Sequence, residues 1–298
     1  MTPLLLAASL LAACGPVAAG GGLGCRPVGA AVPLADDLTE ASGIAVSLDH
    51  PGVLWTHADS RPVLFAADSR GNVLARYRIR PRVVDWEDLA LAPCPGGGSC
   101  LYLADLGDNY EERASLQLLR LPEPDPTSVD PLGDRQTASA TIQADVFPVR
   151  LPDGPRDIEA LLVLPGERVL AVTKGRNAAV TVYRYPGELR PDTVTLEEVQ
   201  RLSSGPRILP RQVTGGAVSP ERGIAALRTY ESLRFYRVQA DTLIPLDDGL
   251  VNLRTLGEAQ GEGVGLGLGG SMFLSSEAGP MGGHGSIVAL RCRLDGLD

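Results

Sequence analysis

The feature that most restricts how this chain can fold is a short motif that keeps returning. Asp85-Trp86-Glu87-Asp88-Leu89-Ala90 comes back as Asp157-Ile158-Glu159-Ala160-Leu161-Leu162. Looser copies stand at Glu40-Ala41-Ser42-Gly43-Ile44-Ala45, Val213-Thr214-Gly215-Gly216-Ala217-Val218 and Gln260-Gly261-Glu262-Gly263-Val264-Gly265. Each copy opens an apolar run, followed by a turn signal and a second apolar run. Aligning Ser42, Glu87, Glu159, Gly215 and Glu262 gives steps of 45, 72, 56 and 47 residues. A period of roughly 40–50 residues marks units that bury their faces only against one another.

Between the copies the chain reads as short strands joined by turns, with no sustained helical period. The first unit predicts strands over 42–47, 53–56, 63–67 and 73–79, with turns at Asp49-His50-Pro51-Gly52 and Asp68-Ser69-Arg70-Gly71-Asn72. Four short strands per unit predict an all-β fold, a single β-propeller of five four-stranded blades spanning 26–298. The second unit takes its last strand from Thr137–Phe147, after a long excursion through the Pro-rich Pro122–Asp134. That 72-residue step also leaves room for a degenerate sixth blade. The fifth unit has three strands before the chain ends, so Arg26–Leu34 is expected to supply its fourth and close the ring. Closure removes free sheet edges.

Apolar residues make up 44% of the chain and aromatics 4%, so the core must rest on Leu, Val, Ala and Ile. A net charge of −9 excludes nucleic acid as the main partner, because phosphate backbones need a basic footprint. Lys174 is the only lysine. Leu11-Ala12-Ala13-Cys14 follows an apolar run and resembles the lipobox of bacterial lipoproteins. The reading is a signal peptide over 1–14, lipidation at Cys14 and a flexible tether over 15–25, although Met1-Thr2-Pro3 lacks the usual basic residue. This predicts a cell-envelope protein, lipid-anchored or secreted, that meets the membrane through its anchor alone and is otherwise a monomer. Four thiols then remain for an oxidising compartment. Cys94 and Cys100 bracket a Pro-Gly-Gly-Gly-Ser turn and would clamp a hairpin; Cys25 and Cys292 would tie the first strand to the last.

In a propeller blade the start of the innermost strand and the end of the second strand lie on one face. At those positions the sequence places Asp85, Glu87, Asp157, Glu159 and Glu262, then His57, Asp59, Asp105, Asp108, Asn109, Lys174, Arg228, Tyr230 and Glu277. Asp85/Glu87 and Asp157/Glu159 are each two apart, so each pair can face one side of an extended chain. Such a ring of acids needs protons, Lys174 and Arg228, or a divalent cation to relieve its repulsion. Oxygen donors without thiols suit Ca²⁺ or Mg²⁺. The expected metal ligands are Asp85, Glu87, Asp105, Asp108, Asn109, Asp157, Glu159 and Glu262. Asp59, Lys174, Arg228, Tyr230 and Glu277 are the expected ligand-binding residues, and Glu87, Glu159 and His57 the candidate catalytic ones. Trp86 reads as blade packing. Gly265-Leu266-Gly267-Leu268-Gly269-Gly270 fits a dinucleotide fingerprint only in spelling, because it leads into a strand. No G-x-S-x-G elbow occurs.

Taken together, Glu40-Ala41-Ser42-Gly43-Ile44-Ala45, His50-Pro51-Gly52-Val53-Leu54-Trp55-Thr56-His57-Ala58-Asp59-Ser60, Asp85–Ala90, Asp105-Leu106-Gly107-Asp108-Asn109 and Gln260–Gly263 resemble a group of bacterial secreted β-propeller proteins. More distantly, the acids at the channel mouth resemble those of phytase-like and gluconolactonase-like propellers. That resemblance implies a central cation, usually Ca²⁺, held by acidic and amide side chains. The function expected from these readings is an extracytoplasmic propeller lipoprotein that binds a ligand or envelope partner at an acidic mouth with a divalent cation. The alternative is a Ca²⁺-dependent hydrolase of an ester, lactone or phosphoester.

Overall fold

A computed structural model describes residues 22–59, 61–129 and 138–294. Cys14 and the leader lie outside the described residues. So do Ser60, positions 130–137 and most of the expected tether.

Five sheets, each built on four antiparallel strands, are arranged as blades, each named here from its inner strand outward. Blade 1 is Ala41–Val46, Val53–Ala58, Val63–Asp68 and Val73–Arg80. Blade 2 is Asp88–Pro93, Ser99–Asp105, Leu116–Pro122 and Asp145–Arg150. Blade 3 is Ile158–Leu164, Arg168–Thr173, Thr181–Arg184 and Glu197–Arg201. Blade 4 is Val213–Val218, Ile224–Thr229, Ser232–Gln239 and Thr242–Asn252. Blade 5 is Gln260–Leu266, Ser271–Glu277 and Ser286–Arg291, completed by Arg26–Pro27 from the other end of the chain. Val32–Pro33 pairs with that same Ser286–Arg291 strand. No α-helix occurs among the described residues, and no helix there is long and apolar enough to cross a membrane.

The ring closes as the sequence implies. Cys25–Cys292 ties the closing strand to its partner, and Cys94–Cys100 clamps the first hairpin of blade 2. The region expected to be tether is packed at its described end. Leu23 and Cys25 are buried in the core between blades 4 and 5, and Arg293 N donates to Leu23 O at 2.8 Å.

Inner strands are buried on both faces, because each blade stacks on two neighbours. Ile158–Leu164 is buried at every position, whereas the outer strand Glu197–Arg201 is polar and half-exposed to exposed. That is why inner strands read as continuous apolar runs rather than alternating ones. The core divides into five clusters, one per interface. Leu101, Trp86 and Trp55 lie between blades 1 and 2, and Tyr102, Leu161 and Tyr183 between 2 and 3. Leu162 and Leu227 lie between 3 and 4, Phe235 and Leu274 between 4 and 5, and Ile44, Phe65 and Ile287 between 5 and 1.

The excursion after Pro122 differs from the sequence reading. Ala140–Gln143 runs parallel to Val73–Arg80 and adds a fifth strand to blade 1, while Asp145–Arg150 is the outer strand of blade 2. The one strand expected over 137–147 is therefore two strands on two blades, and the 72-residue step holds no sixth blade among the described residues. An exposed edge on blade 1 is covered instead.

Near the axis, inner-strand backbones come into contact. A Cβ on Gly43 would lie 2.8 Å from Asp88 Cα, and one on Gly215 would lie 2.8 Å from Glu262 O. Any side chain there would push the blades apart. Asp88 staples this axis: its Oδ2 accepts from Leu161 N at 2.9 Å and Gly216 N at 3.1 Å, and its Oδ1 from Leu89 N at 2.9 Å. One carboxylate from blade 2 thus serves blades 3 and 4.

Candidate functional site

The mouth is built from the start of inner strands and the end of second strands, on the face the sequence indicated. In four of the five blades the inner strand carries a register shift at this end, between Ala41/Ile44, Ile158/Ala160, Val213/Gly215 and Gly261/Val264. Bulges of this kind re-aim side chains. Asp85 and Glu87 both face Gly107, where a Cβ would sit 2.8 Å from each Cγ. Glu87, Asp157 and Glu159 are all buried, and each offers a carboxylate oxygen within 4.8 Å of the other two. Asp157 Oδ1 accepts from Asp108 N at 2.9 Å, while its Oδ2 is buried with no hydrogen-bond partner.

Lys174 is the counter-charge. Its Nζ donates to Glu159 Oε1 and stands 3.7 Å from Asp157 Oδ2. Arg176 Nη2 approaches the same Asp157 oxygen at 3.5 Å from the half-exposed side. Burial disfavours the ammonium, but Glu159 and Asp157, then Tyr230 and Glu87, overcome this and hold the Lys174 pKa above the usual lysine range.

Against these cations stands a longer arc of acids. Burial, then Glu159, Asp59 and Asp85, push the Glu87 carboxyl well above the carboxylate range. Glu159 is raised well above it too, burial and Asp157 outweighing Lys174. Burial followed by Glu277, Glu262 and Glu159 does the same to Asp59, whose buried Oδ1 also lacks a partner. Burial and then Asp157 raise Asp85. Burial and then Glu277 raise Glu262 to about 7, and burial and then Glu40 raise Glu277. Gln260 Nε2 joins these last two, donating to Glu262 Oε1 and Glu277 Oε2 at 2.8 Å each. The Tyr230 hydroxyl belongs to the same field: burial, then Glu262, raise its pKa. Negative charge is therefore in excess, and the folded protein holds protons there that isolated carboxylates would release.

Other residues singled out by sequence do different work. Asp105 accepts from Val84 N, Asp85 N, Arg113 Nη2 and Gln117 Nε2, which fixes the segment carrying Asp85 but keeps Asp105 out of the cluster. Asp108 caps the following turn through Glu112 N and Arg113 N. Asn109 is exposed and receives Arg176 at 2.9 Å. The Asp105–Asn109 loop thus supports the cluster from behind and is outside the group of convergent donors. Arg228 is fully buried, and its Nη1 donates to Gly263 O at 2.7 Å and Ser275 O at 2.9 Å while Nη2 binds Glu258 at 2.6 Å. It bolts blade 4 to blade 5 and offers nothing to a ligand. His57 is also fully buried, against Trp86 with ring centroids 4.4 Å apart, and burial lowers its pKa to about 3. A neutral ring sealed in a blade interface cannot exchange protons at the mouth. Trp86 packs as expected and donates to Ala58 O at 2.6 Å. Sequence reasoning missed Gln260, Arg176 and Asp88. Gln260 was legible, since it lies two residues before Glu262 in the repeated motif.

No family model matches the chain, and no curated protein matches it. Among solved structures it is similar to the PQQ-bound aldose sugar dehydrogenase of Streptomyces coelicolor, at 12% identity over 93% of this chain and 100% of that one, with a TM-score of 0.51. Looser matches are a gluconolactonase from Xanthomonas campestris (14% identity, 85% of this chain, 72% of that one, TM-score 0.42) and virginiamycin B lyase from Staphylococcus aureus (10%, 88%, 98%, 0.42). At such identities the likeness is one of fold: the chain is a five-bladed β-propeller.

Proposed function

We propose that this chain is an extracytoplasmic propeller that binds a hard divalent cation, Ca²⁺ foremost, at its channel mouth and holds an oxygen-rich ligand or envelope partner through it. Glu87, Asp157 and Glu159 would be the protein ligands. The observation that carries this reading is the buried Oδ2 of Asp157, which accepts no hydrogen bond and has only the looser ionic approach of Lys174 at 3.7 Å and Arg176 at 3.5 Å, in a carboxylate whose other oxygen is fixed by a backbone N–H. The donor spacing fits as well. Two oxygens held by one Ca²⁺ at about 2.3–2.6 Å stand no more than about 5 Å apart, and these three stand within 4.8 Å. Asp85, Asp59 and Glu262 would add negative potential, and Tyr230 and Glu277 would meet the ligand at the rim. Two disulfides support an oxidising compartment, with Cys14 proposed as the lipid-bearing residue.

A hydrolase is the second reading, favoured by Glu262. A carboxyl held near neutrality and oriented by Gln260 can take up and release a proton at working pH. A cation bound at the mouth supplies positive charge to polarise a carbonyl or phosphoryl oxygen. Lys174 would then position an anionic group.

Calcium titration of EDTA-treated protein by calorimetry tests the first reading. One cation per chain is expected, weakened at least tenfold in Glu87→Gln. No heat and no thermal shift with Ca²⁺, Mg²⁺ or Mn²⁺ would overturn it. An ester, lactone and phosphoester panel on wild type and Glu262→Gln tests the second. Turnover lost in the folded variant supports the hydrolase; a wild type without turnover ends it.

A further inference from the structure

A cavity opens on the same face as the mouth, between blades 3 and 4, with a volume of about 530 Å³. Its floor is apolar: Val180, Leu202, Leu227 and the ring of Tyr236. Its rim carries Arg207, Arg211, Arg234 and Arg254, with Glu231 the one acid. Four guanidinium groups against one carboxylate is an unusual local balance in a chain of net charge −9. Glu231 is shared by Arg211, at 3.4 Å, and Arg254. Arg207 and Arg234 have no carboxylate partner among the described residues. Both line the cavity together with Tyr236.

We propose that this cavity binds a small amphiphilic anion, an apolar body ending in an oxyanion such as a carboxylate. The volume lies within the range of about 300–1,000 Å³ usual for small-molecule sites, where an apolar lining and a few polar groups share the work. Arg207 and Arg234 would receive the oxyanion as charge-assisted, two-pronged donors, and the apolar floor would take the body. A bare inorganic anion would leave that floor wet, and a neutral hydrocarbon would leave both guanidinium groups unanswered. The cavity also abuts the mouth through the backbone. Val213 N donates to Lys174 O at 3.1 Å and Arg207 N to Gly175 O at 2.6 Å, while Tyr230 lies between the cavity residues Thr229 and Glu231. This site stands independently of the cation proposed above.

Calorimetry with decanoate, below its micellar concentration and in EDTA so that no cation contributes, tests the proposal, with decanol as the neutral control. Decanoate is expected to bind at least tenfold more tightly than decanol and to weaken as salt is added. The double variant Arg207→Gln/Arg234→Gln, checked for folding by its melting temperature, is expected to bring decanoate down to the level of decanol. Methyl NMR of wild type supplies a readout that no variant can confound, with shifts expected at Leu202 and Leu227. Equal affinity for decanol, an unaffected double variant, no binding, or shifts confined to other residues would each overturn it.

Discussion

The metal-free protein should lose stability as pH rises through neutrality, and Glu262 is the group that makes this measurable. Glu262 is buried, and its pKa stands near 7 against an ordinary 4.5. Between those values the folded chain holds a proton that the unfolded chain has released. Folding is then favoured by acid: the contribution is complete below about pH 4.5 and vanishes as pH passes through about 7. A displacement of this size is worth about 3 kcal/mol. Glu87, Glu159 and Asp59 are displaced in the same direction and add to the slope. Carboxylates held below their usual range, such as Asp68, act only at more acid pH and stay outside this window. Urea midpoints measured in EDTA at pH 5, 6, 7 and 8 should fall steadily, and Glu262→Gln should flatten the profile by about 2.5 kcal/mol between the extremes. Millimolar Ca²⁺ should shrink or reverse the wild-type slope, since cation binding requires the ionised acids and stabilises by mass action. A flat EDTA profile, or a variant as steep as wild type, would refute the reasoning.

Two further substitutions separate the mouth from its supports. Lys174→Met leaves Glu159 without its counter-charge and Asp157 with Arg176 alone, so metal-free stability should drop by about 3 kcal/mol at pH 8 and less at pH 5, while Ca²⁺ affinity rises; chemical denaturation and calorimetry read the two effects. Arg228→Met strands Glu258 and two backbone carbonyls between blades 4 and 5. It should cost about 3–5 kcal/mol in denaturation experiments and leave the Ca²⁺ affinity of the folded fraction unchanged.

Blade number, ring closure and both disulfides were legible because each leaves a local trace: a repeated motif, a turn at fixed offset, a cysteine beside a predicted strand. The destination of Ala140–Gln143 left none, since four residues of β-propensity carry no mark of which sheet edge they join, and the partner strand lies some sixty positions earlier. At the site, spacing two apart correctly put Asp85 with Glu87 and Asp157 with Glu159. Position at a strand end misassigned Arg228 and His57, because the side chain one step from the mouth turns into the blade interface. Burial of that neighbouring position depends on the bulges at inner-strand starts, and these are not visible in composition. Asp105 was misjudged for a different reason. A carboxylate that organises backbone N–H groups and one that awaits a cation have the same spelling, and only its four donors distinguish them.

The crowding at the axis and the charge at the mouth have one cause. Five blades make a narrow ring: glycines at 43, 215 and 263 let inner-strand backbones touch between blades 1 and 2, 4 and 5, and 5 and 1, and at the mouth Glu87 of blade 2 comes within 4.8 Å of Asp157 and Glu159 of blade 3. Like charges about 4 Å apart repel by about 4 kcal/mol at an effective dielectric near 20, so the folded state needs an answer to them. Protons supply one part, as the raised carboxyls show, and the only lysine in 298 residues supplies another. Lys174 and a divalent cation would therefore compete for the same oxygens of Asp157 and Glu159. The lysine keeps the metal-free fold tolerable, and for that reason it would also set how tightly the proposed cation is held. A protein tuned for permanent metal retention has no use for such a competitor, so the cation proposed at this mouth would be one that comes and goes with ligand, pH or supply.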